Sequence, residues 1–337
     1  LDWDACGVLQ LALDAKEQAR QTPLAAAFPT DLLHPLNRQQ AEARAGIALA
    51  SGGLFYPEGG WAHPPALCRL LSTHPRITLR PLHEVVDLQR HADGWQAWVA
   101  GRLVASAPVV VLAGAAEIAR FPAAAELPLK RIRGQITRLA QNRDSSELRT
   151  VVCAEGYVAP PRLGEHTLGA SFDFHGQDAS PTAAEHASNL HLLEDISSDL
   201  AARLHSRELD PASLQGHAAF RCTSPDYLPI IGPLAEPQAF AQTYAKLGHN
   251  AHWQTQLGCP WLDGLYVNSG HGSRGLISAP LAGELLAAWL DDEPLPLPRQ
   301  VAEACHPNRF AVRQLSRGQS PRRPDKRTEL AARRDRR

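Results

Sequence analysis

The chain has 337 residues, 44% hydrophobic and 20% charged, with 34 basic against 35 acidic side chains, enough apolar material for a sizeable core in roughly two lobes. No run reaches the ~18 apolar residues of a membrane span. Leu1 to Arg20 carries Asp2, Asp4, Asp14 and Glu17, which argues against a secretory or transit leader, so a soluble cytoplasmic protein is expected.

Six scattered cysteines form neither a disulfide framework nor a zinc-ligand pattern, and the fifteen histidines lack carboxylates at metal-site spacing, so no metal is expected. A chain with no methionine that opens at Leu1 reads as a piece of a longer protein.

Taken in order, a helix is predicted near Asp14 to Arg20, and Asn37 with Gln40 resembles a capping box opening an alanine-rich helix to about Ala50. Gly52 to Tyr56 reads as a strand and Pro64 to Ser72 as a helix. Ile77 to Arg80, Glu84 to Gln89, Trp95 to Val99 and Arg102 to Ser106 read as strands, the later ones joined by Asp93-Gly94 and Ala100-Gly101 turns into an antiparallel meander. Pro108 to Leu112 is continuously apolar, the pattern of a strand buried on both faces of a largely parallel sheet, and ends in Ala113-Gly114, where ligands of open α/β sheets sit.

Longer strands follow at Arg133 to Leu139, Thr150 to Val158 and Thr167 to Phe172. Thr182 with Glu185 caps one long helix whose inward face runs Leu190, Leu193, Ser197, Leu200, Leu204, with Ser197 the polar exception. Gly216 to Cys222 is a further strand. Lys130, Arg131, Arg133, Arg138, Arg143 and Arg149 fall in twenty residues against Asp144 and Glu147; the cluster reads either as a phosphate-contacting face, Lys130, Arg131, Arg133 and Arg138 in particular, or as ordinary solubility charge.

Gly264 to Asn268 reads as a strand running into Ser269, Gly270, Gly272, Ser273 and Gly275, with Pro280 at the first position of a helix. A helix N-terminus reached through glycines offers unpaired N–H donors and a positive dipole end, suited to a phosphate or a flavin carbonyl edge, or it is simply a tight turn in a core. Residues 319–337 hold eight basic and three acidic side chains and too few apolar ones to fold alone, so a disordered basic tail is expected.

Arg221 with Pro225-Asp226-Tyr227-Leu228-Pro229-Ile230-Ile231-Gly232, and Gly264 to Pro280, resemble the C-terminal half of the FAD-dependent amine oxidases that include glycine oxidase, sarcosine oxidase and D-amino-acid oxidase. Gly7 to Leu11, Gly59-Gly60-Trp61 with Pro64, Arg133-Gly134-Gln135, Gly169 to Asp173, Gly272 to Leu276 and Ser278-Ala279-Pro280 narrow this. Together they look like the oxidase domain of the bacterial bifunctional enzymes of 5-methylaminomethyl-2-thiouridine synthesis in tRNA, over Leu1 to about Gly318.

The resemblance implies an α/β (mixed α+β) fold, the two-domain FAD-binding fold of the D-amino-acid oxidase/glycine oxidase type, without its N-terminal βαβ dinucleotide unit. Residues 1–126 and 236–318 would form the FAD lobe and 127–235 a β-rich substrate lobe. A G-x-G-x-x-G strand-turn-helix is read as missing; it and a methyltransferase segment using S-adenosylmethionine are expected before Leu1.

FAD is the implied cofactor and tRNA the implied partner, the reaction being removal of a carboxymethyl group from a wobble uridine; a glycine- or sarcosine-type oxidase and a non-catalytic RNA-binding remnant are the alternatives. Arg221 is the candidate carboxylate clamp or else an ion-pair partner of Asp226. Gly270, Gly272, Ser273, Arg274, Gly275 and Leu276 would meet the flavin edge, with His271 near the reactive face or merely packing. Val85 would meet the adenine, and Ala113 and Gly114 the pyrophosphate.

Overall fold

A computed structural model describes residues 2–318, and the basic tail expected at 319–337 lies outside the described residues. The described residues divide into two compact units, 2–79 with 132–220 and 80–131 with 221–318. Residues 2–79 thus group with the β-rich segment 132–220 that the sequence reading placed apart from them.

The first segment holds β1 (Trp3–Asp4), β2 (Val8–Leu11), α1 (Ala15–Ala27), β3 (His34–Leu36), α2 (Arg38–Ala45), β4 (Gly53–Tyr56), β5 (Trp61–Ala62) and α3 (Pro64–Ser72). Next come β6 (Asp87–His91), β7 (Gly94–Val99), β8 (Arg102–Ala107) and β9 (Val110–Leu112). They are followed by β10 (Lys130–Ala140), β11 (Val151–Cys153), β12 (Tyr157–Val158), β13 (Glu165–Gly169), α4 (Ala183–Ile196), α5 (Ser198–Arg203) and β14 (Gln215–Thr223). The last are β15 (Ile230–Ala235), α6 (Pro237–Thr243), β16 (Trp261–Ser269), α7 (Gly275–Leu290), α8 (Arg299–Cys305) and α9 (Asn308–Ser316).

In the first unit an eight-stranded sheet runs β14-β10-β13-β12-β11-β2-β4-β3, with β2 parallel to β11 and antiparallel to β4. Its core packs Leu9, Leu11, Phe55, Val152 and Leu168 of the sheet against Leu190, Leu193, Ile196 and Leu200 of α4 and α5. Local chemistry sets the helix ends. Asn37 and Gln40 form the expected reciprocal capping box, and α2 stops at Gly46, whose φ of 79° is the left-handed form glycine tolerates.

The single long helix expected through Ser197 is two helices. Ser197 is extended, ends α4, and caps α5 by accepting from the Leu200 amide at 3.0 Å, while its hydroxyl donates to the Ala48 carbonyl at 2.6 Å. The polar exception on the apolar face is therefore a cap.

In the second unit β6, β7 and β8 form the antiparallel meander expected from the turn signals. Ile77 to Arg80 is not a strand. A three-stranded sheet, β15-β16-β9, pairs β16 antiparallel to β15 and parallel to β9. Among the described residues β9 is an outer strand of this sheet, with Val109 and Val111 exposed, so the expectation of burial on both faces fails here. One core packs Leu112, Ile118, Ile230, Leu265 and Val267; another sets Leu285 and Leu286 of α7 against Ile231.

Candidate active site

Because β9 and β16 run parallel, with Val267 opposite Leu112, both chains leave the sheet at the same end. β9 delivers Ala113 and Gly114 there, and β16 delivers Ser269 and Gly270. Ser269 Oγ donates to the Ala115 carbonyl at 3.1 Å, tying the two exits together. Val85 lies in the same unit, packed on the Leu112 and Ile118 core just before β6.

Past Ser269 the backbone takes left-handed conformations at Gly270 (φ 74°) and Gly272 (φ 60°), forms a tight turn at Gly272–Arg274, and enters α7 at Gly275. Helix α7 thus begins five residues before Pro280, the expected first position. Four opening amides of a helix lack an internal partner in any case, so Pro280 removes a single ladder bond, to the Leu276 carbonyl.

No side chain caps α7, as none caps α3, α8 or α9, whereas α1, α2, α4, α5 and α6 are capped by side chains. Its first turn therefore presents N–H groups at the positive end of the helix dipole. Leu276 and Ile277 beside them are exposed, Ile277 by 81%. The Arg274 amide is not in this donor set, since it donates to the His271 carbonyl at 3.2 Å.

His271 is partly buried, and burial holds its imidazole below the ordinary histidine value. Its Nε2 lies 2.8 Å from Asn268 Oδ1 and its Nδ1 2.8 Å from Ser278 Oγ. Its backbone bridges Thr223, the last residue of β14. Arg221, half-buried, stands two residues before Thr223 on that strand and so on the same face.

The Asp226 carboxylate, considered in sequence as a partner of Arg221, is gripped by Arg309 of α9, at 3.0 Å and 3.1 Å, and approached by Arg313 at 3.4 Å. The Arg309 guanidinium, with the Ser224 hydroxyl, holds the carboxyl down at about 2.

The basic cluster does not form one open face. Arg133 is 3% exposed. Its guanidinium pairs with Glu185 and donates to the Asp178 and Ser180 carbonyls, and Ser171 Oγ donates to Glu185 at 2.5 Å. An arginine engaged in this way has no face for a phosphate. Burial raises the Glu185 carboxyl, and hydrogen bonds from Ser171 and Arg133 more than offset it. Arg131 pairs with Glu117 and Arg138 with Glu165, both at the surface, and Lys130 is exposed.

Sequence reasoning missed Asn268, Thr223 and Arg309. The first was readable as a polar residue three before a histidine at a strand end; the other two are brought in by tertiary pairing. Among the described residues no group of three His, Cys, Asp or Glu side chains could hold a metal ion.

The sequence model of the FAD dependent oxidoreductase (DAO) family matches residues 1–289. The chain belongs to this family. It is an FAD-dependent oxidoreductase, and the glycine-led, uncapped start of α7 fits the electron-rich edge of that cofactor in donor chemistry, with Leu276 and Ile277 offering apolar cover.

The chain is 70% identical, over 95% of its length, to the tRNA 5-methylaminomethyl-2-thiouridine biosynthesis bifunctional protein MnmC of Pseudomonas fluorescens Pf-5, of which the match covers 48%. It is 68% identical over 94% of its length to the protein of that name from Pseudomonas entomophila, again covering 48% of it. The chain thus spans about half the length of the curated relatives it matches.

Among solved structures, glycine oxidase from Geobacillus kaustophilus aligns with TM-score 0.68 and 20% identity, over 88% of this chain and 74% of that one. Iminodiacetate oxidase from Chelativorans sp. BNC1 aligns with TM-score 0.67 and 22% identity, over 88% and 75%. Both share the fold.

Contrary to the sequence reading, the DAO-family chain does contain a strand-turn-helix with G-x-G-x-x-G spacing: Gly270-His271-Gly272-Ser273-Arg274-Gly275, between β16 and α7. Among the described residues α7 leads into α8 and α9 and not into a parallel strand, so the spacing occurs here without the βαβ unit of a dinucleotide fingerprint.

Proposed function

We propose that this chain removes the carboxymethyl group from 5-carboxymethylaminomethyluridine, or its 2-thio form, at the tRNA wobble position, giving the 5-aminomethyl nucleoside. The observation that carries this reading is the 70% identity, over 95% of the chain, to a protein named for 5-methylaminomethyl-2-thiouridine biosynthesis in tRNA.

The substrate is a secondary amine bearing CH2–COO⁻. Loss of a hydride from the methylene and a proton from the nitrogen gives a C=N bond, and water adds to release the primary amine and glyoxylate. FAD, when bound, supplies the two-electron acceptor. No covalent protein nucleophile is required.

Arg221 takes both carboxylate oxygens in its planar fork and so aims the methylene C–H. The amides of Gly270, Gly272, Ser273, Gly275 and Leu276 serve the ring edge, the Val85 backbone the adenine, and Ala113 and Gly114 the pyrophosphate. Lys130, Arg131 and Arg138 lie toward tRNA phosphates. Methylation of the product amine falls to a methyltransferase segment in the other half of the bifunctional relatives, using S-adenosylmethionine.

A second reading, a small-molecule oxidase of the glycine or sarcosine type, is favoured by the pairing of Arg131, Arg133 and Arg138 with Glu117, Glu185 and Glu165, which weakens the case for a phosphate-binding face. The test incubates the FAD-loaded protein, expressed at the length of its relatives, with tRNA carrying the carboxymethylaminomethyl nucleoside. Nucleoside mass spectrometry should show conversion to the aminomethyl form with an equal yield of glyoxylate. Unchanged tRNA alongside turnover of free glycine or sarcosine would give the second reading the field.

A further inference from the structure

We infer that His271 is a positioning residue: its neutral imidazole ties Asn268, near the end of β16, to Ser278, in the opening of α7, and thereby fixes the path of the Gly270–Gly275 turn. The inference rests on the reading of that turn as the element that meets the flavin.

A side-chain amide oxygen only accepts, so the ring nitrogen 2.8 Å from Asn268 Oδ1, Nε2, carries the hydrogen. Nδ1 is then the acceptor and takes the Ser278 hydroxyl hydrogen across 2.8 Å. The same hydroxyl lies 3.0 Å from the Arg274 carbonyl, and one hydrogen serves one acceptor at a time, so ring and carbonyl compete for it.

While the Ser278 hydroxyl donates its hydrogen to Nδ1, both ring nitrogens are engaged and the ring has no free lone pair to take a proton from a substrate amine. What it does instead follows from where its partners stand. Asn268 precedes and Ser278 follows two glycines with left-handed φ, Gly270 and Gly272. Glycine enters and leaves that conformation readily, so the turn's shape is not held by its own backbone preference. The histidine supplies the missing constraint from inside the loop, and its backbone bridge to Thr223 anchors the loop from β14.

The test uses the FAD-loaded protein at the length of its relatives, with His271→Ala, Ser278→Ala and the double variant, read by the rate of FAD release and by the visible spectrum of bound flavin. Each single change should speed release about tenfold, the worth of a lost net hydrogen bond or two, and shift the long-wavelength flavin band. The double variant should be no worse than His271→Ala within about twofold, since one linkage is lost once.

His271→Gln, whose amide still reaches Asn268, should recover part of the loss. Additive effects, or single variants with the parent's spectrum and release rate, would overturn the inference. Should His271→Ala not fold, His271→Gln and Ser278→Ala carry the cycle, and nitrogen-15 NMR of the parent's ring decides: the hydrogen is expected on Nε2, and finding it on Nδ1 would overturn the tie. A parent protein that binds no flavin removes the reading of the turn itself.

Discussion

Arg309 and Arg221 are given different roles. Arg309 has a fixed partner, the Asp226 carboxylate, on two of its nitrogens, and serves to seat α9. Arg221 is the one assigned to substrate. Replacing it by Lys keeps the charge and loses the fork, so kcat/KM on the tRNA substrate should fall by about tenfold to a hundredfold, with bound FAD unchanged in spectrum. Steady-state kinetics with a flavin spectrum on the same sample check this. Unchanged kcat/KM would remove Arg221 from the clamp role.

At the level of single elements, what could be read in advance follows the range of the forces involved. The capping box at Asn37, the Thr182 cap, the Pro64 start and the Gly-containing turns of the meander are decided within four residues, and they appear where expected. Ser197 was visible as an anomaly on an apolar face, but its role depends on the Ala48 carbonyl, far away in sequence. Arg133 looked basic and available until the fold brought Glu185 to it.

The site divides in the same way. The glycine-rich entry to α7 is legible from sequence, whereas the brace of Asn268, His271 and Ser278 and the bridge to Thr223 are tertiary. For Ser197, substitution by Ala removes the cap on α5 and the bond to Ala48. A loss of about 1–2 kcal/mol is expected, seen as a lower urea midpoint at unchanged slope.

Over the whole molecule, the largest shifts that bear on acid sensitivity belong to two groups in the second unit. His306 stands between Trp261 and Trp289, and burial lowers its pKa to about 4. The unfolded chain takes up that proton near the ordinary value of 6.5 while the folded one does not, so stability should fall as pH drops from about 6.5 to about 4, by roughly 2–3 kcal/mol in all. Asp226, held at about 2 chiefly by Arg309, adds stability that is present above about 3.8 and lost as pH falls through 2. Thermal melts from pH 7 to pH 4 should show this decline, and His306→Phe should flatten it above pH 4. An equally steep decline in that variant would place the sensitivity elsewhere.

The outer position of β9 has a practical effect on handling. Its far side offers a row of main-chain donors and acceptors with Val109 and Val111 uncovered nearby, the kind of border that recruits a foreign strand. Purified as it stands, the polypeptide should cluster as it is concentrated, detected by light scattering, and a lysine in place of Val111 should delay the onset by adding charge to that border.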